Sequence, residues 1–213
     1  MEDTYRHKGL RKKLVEEIRS KGIHDELILQ AISKVPRHFF MDSSFINFSY
    51  KDKAFPIGSG QTISQPYTVA FQTMLLQVKP NDKILEIGTG SGYQAAILME
   101  LGARVFTIER QRELFLKTQM LLPKMGYNPN FFFGDGNLGL PTYSPFDKIL
   151  ITAGTTEIPL VLTRQLRIGG RLVLPVGSRS TQTMVVVERT GEESFTKTEH
   201  GSFIFVPLLK GTE

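Results

Sequence analysis

The chain of 213 residues contains no cysteine. Disulfide bonds and thiolate metal sites are thereby excluded, and a reducing compartment is compatible with the composition. No apolar run is long enough to cross a bilayer. The charged amino-terminal stretch lacks the apolar core of a secretion signal. A cytoplasmic protein without a membrane partner is therefore the expectation. Internal repeats, low-complexity tracts and signs of a second domain are also missing. What remains is a chain with 40% hydrophobic residues, long enough for one α/β domain with a substantial core. Its formal charge of +5 mildly favours an anionic partner. Residues 1–22 carry seven Lys or Arg against four Asp or Glu. A solvated helix face accounts for that excess better than a nucleic-acid patch does.

The stretch Lys83-Ile-Leu-Glu-Ile-Gly-Thr-Gly-Ser-Gly-Tyr93 organises the rest. An apolar run leads into glycines at alternate positions, Gly88, Gly90 and Gly92, and then into a helical run from Tyr93 to Leu101. Strand, Gly-rich turn and helix start in that order make a ligand-binding corner, because glycine permits positive φ and close backbone approach. The next apolar run, Arg104 to Glu109, ends in an acid positioned to grip a ribose diol. Two ligands compete for this corner. A dinucleotide prefers G-x-G-x-x-G. Here the spacing is G-x-G-x-G, and Glu86 precedes it, an acid that suits a cationic ligand better than a diphosphate.

Helical spacing predicts an amphipathic helix over 8–20, stopped at Gly22, and a second one capped by Asp25 with Leu27, Ile28, Ala31 and Ile32 buried. Arg37 to Met41 reads as core packing, and residues 42–58 as a long surface connection. A polar loop, Gly60 to Tyr67, precedes a helix over 68–76; there Ser64 reads either as a helix cap or as a functional hydroxyl. Further helices are expected over 111–125 and 158–166. Strands are expected over 131–133, 146–152, 171–176, 183–189 and 202–206. The alternation implies a mostly parallel sheet with helices on both faces and an antiparallel carboxy-terminal edge. Within Gly134-Asp135-Gly136, the acid reads first as a turn residue.

The run Gly60-Gln-Thr-Ile-Ser-Gln-Pro-Tyr67, followed by Leu85-Glu-Ile-Gly-Thr-Gly-Ser-Gly-Tyr-Gln-Ala-Ala96, resembles the protein-L-isoaspartate O-methyltransferase family. Matches continue in register at Glu109, Gly134-Asp-Gly136, Pro145 to Ala153, Gly169 to Gly177 and Phe205-Val-Pro-Leu208. The departure at Ala153-Gly-Thr-Thr156, where the family has a run of alanines, touches only local loop detail.

The resemblance implies a single-domain class I methyltransferase fold, Rossmann-like. Its parts would be an N-terminal helical segment (1–58), a cofactor-binding core (59–182) and C-terminal strands (183–213). It implies S-adenosyl-L-methionine as cofactor, S-adenosyl-L-homocysteine as product, and isoaspartyl-containing proteins and peptides as substrates. Ser64 would orient the acceptor carboxylate, with Gln61, Thr62 and Ile63 holding the methionine end of the cofactor from the same loop. Gly88, Gly90 and Ser91 would line the methionine portion, Glu109 would take the ribose hydroxyls, and Asp135 and Gly136 would meet the adenine edge. Val206, Pro207 and Leu208, with Thr62 and Ser64, would border the peptide. No metal, no nucleic-acid partner and a monomer are expected. The rival readings are a nucleic-acid methyltransferase, a cofactor-binding protein without catalysis and a nicotinamide dehydrogenase. The first lacks an N/D-P-P-Y-type motif, the second is disfavoured by the intact Gln61–Ser64 loop, and the third by the glycine spacing.

Overall fold

The computed structural model describes residues 2–213. Thr4 starts α1 (Tyr5–Ser20) through a reciprocal cap with His7, so the helix begins earlier than its apolar spacing suggests. It buries Leu14, Val15 and Ile18 and stops at Gly22, whose φ is +98°. Asp25 accepts from Leu27 N and Ile28 N to start α2 (Glu26–Lys34). The buried side of α2 is Ile28, Leu29, Ala31 and Ile32, whereas Leu27 is 65% exposed. At about 100° per residue, Leu27 stands roughly 120° from the middle of that arc.

Arg37–Phe40 forms a 3₁₀ turn, and the connection expected over 42–58 contains a second one, Ser43–Phe48, and the first strand of a hairpin. In the hairpin, β1 (Phe55–Gly58) pairs antiparallel with β2 (Gln61–Ile63). Ser59 and Gly60 make the bend with φ of 48° and 65°. Positive φ at both central residues matches the twist of paired strands, which is why a glycine is needed here. The hairpin delivers Gln61 to Ser64 directly to α3 (Pro66–Leu76), where Pro66 takes a first-turn position that needs no N–H donor.

Then come β3 (Lys83–Ile87), α4 (Tyr93–Glu100), β4 (Arg104–Glu109), α5 (Arg112–Lys124), β5 (Asn130–Phe133), β6 (Phe146–Ile151), the one-turn α6 (Leu160–Thr163), β7 (Leu166–Gly177), β8 (Gln182–Arg189) and β9 (Phe195–Phe203). The main sheet has seven strands in the order β5-β4-β3-β6-β7-β8-β9. Pairing is parallel from β5 to β7 and antiparallel for β7–β8 and β8–β9.

The two faces of the sheet are covered very unequally. Residues of α1 to α5, such as Leu14, Ile32, Val69, Ala96 and Leu122, share one cluster with Ile84, Val105, Leu150 and Val173 of the sheet. The opposite face, with Leu85, Ile149 and Leu172, is met by Leu162 of α6 and by Leu140 between two 3₁₀ turns. The helix expected over 158–166 shrinks because β7 begins at Leu166. Gly169-Gly170 lies inside that strand. A Cβ on Gly170 would come within 2.8 Å of the Arg167 carbonyl and 3.0 Å of the Asp147 carbonyl. The glycine is demanded by backbone crowding at a register shift between β6 and β7.

The last strand also lies earlier than expected. Residues 204–208 leave the sheet, and Gly154 N donates to Val206 O (2.7 Å) while Leu208 N donates to Gly154 O (2.8 Å).

Gly92, with φ of +85°, is a packing glycine: a Cβ there would lie 2.6 Å from Thr118 Cγ2 and 3.0 Å from Leu122 Cδ1. Backbone strain and overpacking together predict that Gly92→Ala loses about 2–4 kcal/mol, read as a lowered midpoint in chemical denaturation.

Candidate active site

The order of the parallel strands reverses at β3, which lies between β4 and β6. Open α/β sheets bind ligands outside the carboxyl ends of strands at such a reversal. The glycine loop follows β3 there. Gly88 and Gly90 have φ of +93° and +52°. A Cβ at Gly88 would lie 2.7 Å from Thr152 Oγ1, at the end of β6. The Thr152 hydroxyl lies 2.9 Å and 2.8 Å from the carbonyls of Ile87 and Gly88, its acceptors. Threonine, strand end and glycine loop are thus locked against one another.

Glu109 closes the other side. It is 5% exposed, and its Oε2 accepts from Gly90 N (2.8 Å) while Oε1 accepts from Gln111 N (2.8 Å). Each oxygen keeps a free lone pair, and the side chain lines the cleft. A carboxylate with two unused acceptor sites fits a vicinal diol.

Around this cleft stand Gln61, Thr62, Ile63 and Ser64 from the hairpin loop and Gly88, Gly90 and Ser91 from the glycine loop. Glu109, Gly136, Val206, Pro207 and Leu208 complete the candidates that line it. Asp135 does not. Its Oδ1 accepts from Asn137 N and Nδ2, both at 2.8 Å, and its Oδ2 from Gly211 N at 2.7 Å. Burial draws the Asp135 carboxyl upward, but the bonds from Gly211 and Asn137 prevail and hold it below the usual carboxylate range. The acid acts as a cap that ties the tail to the loop after β5.

Ser64 is not the cap of α3: Gln65 occupies that position, and no side chain caps the helix. Sequence reasoning missed Thr89, Gln94, Thr152, Arg110 and Leu209, all of which line the cleft. Thr152 and Arg110 stand just past the ends of β6 and β4, where the sheet order alone would have directed attention. Leu209 had no such signal. It arrives because residues 209–213 fold back, with Arg112 N donating to Glu213 O (2.7 Å) and Glu213 N to Arg110 O (2.9 Å).

Glu86 departs from expectation. It does not face the loop as a charged group; it is fully buried and accepts from Thr107 Oγ1 (2.6 Å). Burial, partly opposed by that bond and reinforced by Glu109, pushes its pKa up to about 8. Thr107 in turn lies 2.7 Å from Thr89 Oγ1 in the cleft wall. Elsewhere Asp3, His7 and His38 come within ligand distance of one another. Arg11 already grips Asp3 with both Nη atoms, and His38 lies 2.7 Å from the Tyr50 hydroxyl through Nδ1 and 3.3 Å from the Glu2 carbonyl through Nε2, so the polar atoms of these two are occupied.

The sheet order, the glycine turn after its central strand and the acid ending the next strand define a class I methyltransferase fold. Residues 9–213 match the family model described as protein-L-isoaspartate(D-aspartate) O-methyltransferase, and the chain belongs to that family. It is 57% identical over 211 residues to a protein-L-isoaspartate O-methyltransferase of Christiangramia forsetii, with 99% of each chain covered. To that of Flavobacterium psychrophilum it is 59% identical, again with 99% of each covered. A solved protein-L-isoaspartate O-methyltransferase superposes with a TM-score of 0.82 at 27% identity, over 92% of this chain and 65% of that one. A Plasmodium falciparum structure, titled as a complex with S-adenosyl-L-homocysteine, superposes with a TM-score of 0.81 at 23% identity, over 94% and 99% of the two chains.

Two predictions concern the acids. Glu109→Gln should weaken S-adenosyl-L-homocysteine binding by about 1.5–3 kcal/mol, the scale for hydrogen bonds to a charged acceptor; titration calorimetry on the folded variant reads it. For Glu86, the folded pKa of about 8 lies above the ordinary glutamate value of 4.5. Its contribution is therefore fully present below 4.5 and lost as pH rises towards 8. Glu86→Gln should remove that loss, which amounts to at most about 1.4 kcal/mol per pH unit. Urea midpoints at both ends of the window check it: the wild type should fall further than the variant.

Proposed function

We infer that the chain transfers a methyl group from S-adenosyl-L-methionine to the free carboxylate of L-isoaspartyl residues in damaged proteins and peptides. The observation that carries this reading is Ser64. Its hydroxyl caps no helix, and the residue lies in a wall shared by two adjoining clefts. The first cleft holds the glycine loop and Glu109; the second runs from Ala54 and Tyr67 to Phe205. One cleft suits a cofactor, the other a peptide, and Ser64 stands between them.

The cofactor supplies an electrophilic methyl on a sulfonium. The acceptor is a carboxylate, already ionised near neutral pH, so no general base is required. Transfer to the carboxylate oxygen would form the O–C bond and break the C–S bond, with the electron pair left on sulfur as a neutral thioether. The chain contributes alignment. Ser64 donates a hydrogen bond that orients the carboxylate. Glu109 accepts from the ribose hydroxyls. Gln61, Thr62, Ile63, Gly88, Gly90 and Ser91 enclose the methionine end, and Gly136, next to Asp135, borders the adenine. Val206, Pro207 and Leu208 border the peptide. Near-attack geometry at roughly 3 Å is the main source of rate in such a displacement. The methyl ester then loses methanol to the adjacent peptide nitrogen, closing a succinimide whose hydrolysis returns some normal aspartyl.

The same reading takes the chain as a cytoplasmic monomer that does not act on nucleic acid. Its edge strand β9 carries exposed Lys197 and Glu199, charges that discourage edge-to-edge pairing. Several basic residues of the amino-terminal segment are neutralised locally, with Arg11 bound to Asp3, Arg19 to Glu26, and Lys21 to Glu17 and Asp52.

Radiolabelled methyl transfer to paired peptides differing only in isoaspartyl or aspartyl linkage tests the assignment. Labelling of the isoaspartyl peptide should exceed that of its twin by about a hundredfold or more, since a misplacement of about 1 Å costs that much. Comparable labelling of both, or preferential labelling of RNA, would overturn it. In the same assay Ser64→Ala should lower turnover while cofactor affinity stays within about 1 kcal/mol.

A further inference from the structure

We propose that the second cleft is the subsite for a residue flanking the isoaspartyl group, that it selects a large apolar side chain there, and that Ile204 sets the preference. The proposal rests on the methyltransferase reading above and deepens it.

The cleft has a volume of about 650 Å³ and is continuous with the first, sharing Thr62, Ser64, Thr152 and Val206. A peptide whose carboxylate meets Ser64 must lay its neighbouring residue into this space. None of the lining residues is an acid, a lysine, an arginine or a histidine. The acid that bonds two of the lining residues is already committed. Asp52, with a side chain 2% exposed, accepts from Tyr67 N (2.7 Å), Gln65 Nε2 (2.9 Å) and Lys21 Nζ (2.6 Å). Its charge holds two lining residues in place and is balanced by Lys21.

The lining rings Tyr67, Phe203 and Phe205 are joined into one row through Phe71, which stands behind the lining. Tyr67 stacks on Phe71 at 5.8 Å between centroids, Phe71 meets Phe203 at 5.2 Å, and Phe203 meets Phe205 at 6.4 Å. Ile204 lies between the last two in sequence and is 80% exposed, yet it lines the cleft. Because the core does not use it, its apolar surface is available to a ligand. A charged flanking side chain entering here would leave water without meeting a counter-charge. An apolar one would gain by removing its own surface and that of Ile204 from water. The selection should act on binding, hence on KM more than on kcat.

The test is a series of isoaspartyl peptides with Phe, Ala, Lys or Asp at each position beside the isoaspartyl residue. It is assayed with the wild-type chain and with Ile204→Ser and Ile204→Lys. At one flanking position the wild type should favour Phe over Asp at least tenfold in kcat/KM, mainly through KM. Ile204→Ser should shrink that ratio, and Ile204→Lys should shrink it further by supplying a partner for Asp. Unchanged S-adenosyl-L-homocysteine affinity certifies the fold of both variants. Equal kcat/KM across the wild-type series, or the same preference in both variants, would overturn the proposal. The Ala-flanked isoaspartyl peptide and its aspartyl twin isolate the parent reading. If that pair is not discriminated, the methyltransferase assignment itself has failed; if it is, a flat flank series refutes only the subsite.

Discussion

The bond from Gly90 N to the Glu109 carboxylate is the constraint on which the site depends. It joins the glycine loop to the end of the neighbouring strand, and Gln111 N holds the same carboxylate from the other side. Each oxygen of this buried side chain takes one backbone donor and keeps an unused acceptor site. The loop, the strand end and the following turn are therefore positioned before any ligand arrives. Preorganisation of that kind spares a ligand the cost of ordering the loop when it binds.

A second acid shows how environment divides chemistry between like groups. Glu86 and Glu109 lie on adjacent strands, and Glu109 raises the cost of charging Glu86. Glu109 reaches backbone donors at the cleft; Glu86 meets only the Thr107 hydroxyl, and its other oxygen has no partner. With one neutral donor against full burial, desolvation prevails, and Glu86 is favoured as the neutral acid near pH 7. The glycine loop thus rests on a chain of hydroxyls, Thr89 to Thr107 to Glu86, that carries little net charge.

The uneven covering of the sheet bears on function as well. Helices α1 to α5 all lie on one side, with α1 and α2 packed over α3 and α4, whereas the other face relies on one short helix, 3₁₀ turns and the returning tail. That economy leaves residues 204–213 free to run along the carboxyl ends of the strands. There Val206 and Leu208 bracket Gly154, and Gly211 and Glu213 tie the loops after β4 and β5 together. Both clefts take part of their walls from this segment.

Much of this was legible in the residues. Alternating apolar runs and helical spacing specified the parallel core, since each strand and helix must bury its own apolar side. The glycines of 88–92, the terminal acid Glu109 and the loop 60–67 marked the cleft, because positive φ, close approach and a free hydroxyl are local requirements. Tertiary structure alone decided the rest. Both faces of β3 are buried; Glu86 shares with Ile84 the face covered by the helices, and only that packing makes its surroundings dry. Asp135 spends its carboxylate on Gly211, far away in sequence, which no local pattern announces. Residues 204–208 leave the sheet because Gly154 offers them backbone partners, and position 170 within β7 requires glycine because two carbonyls crowd it. In each case local sequence supplied the chemical group, and contacts between distant segments determined what that group could do.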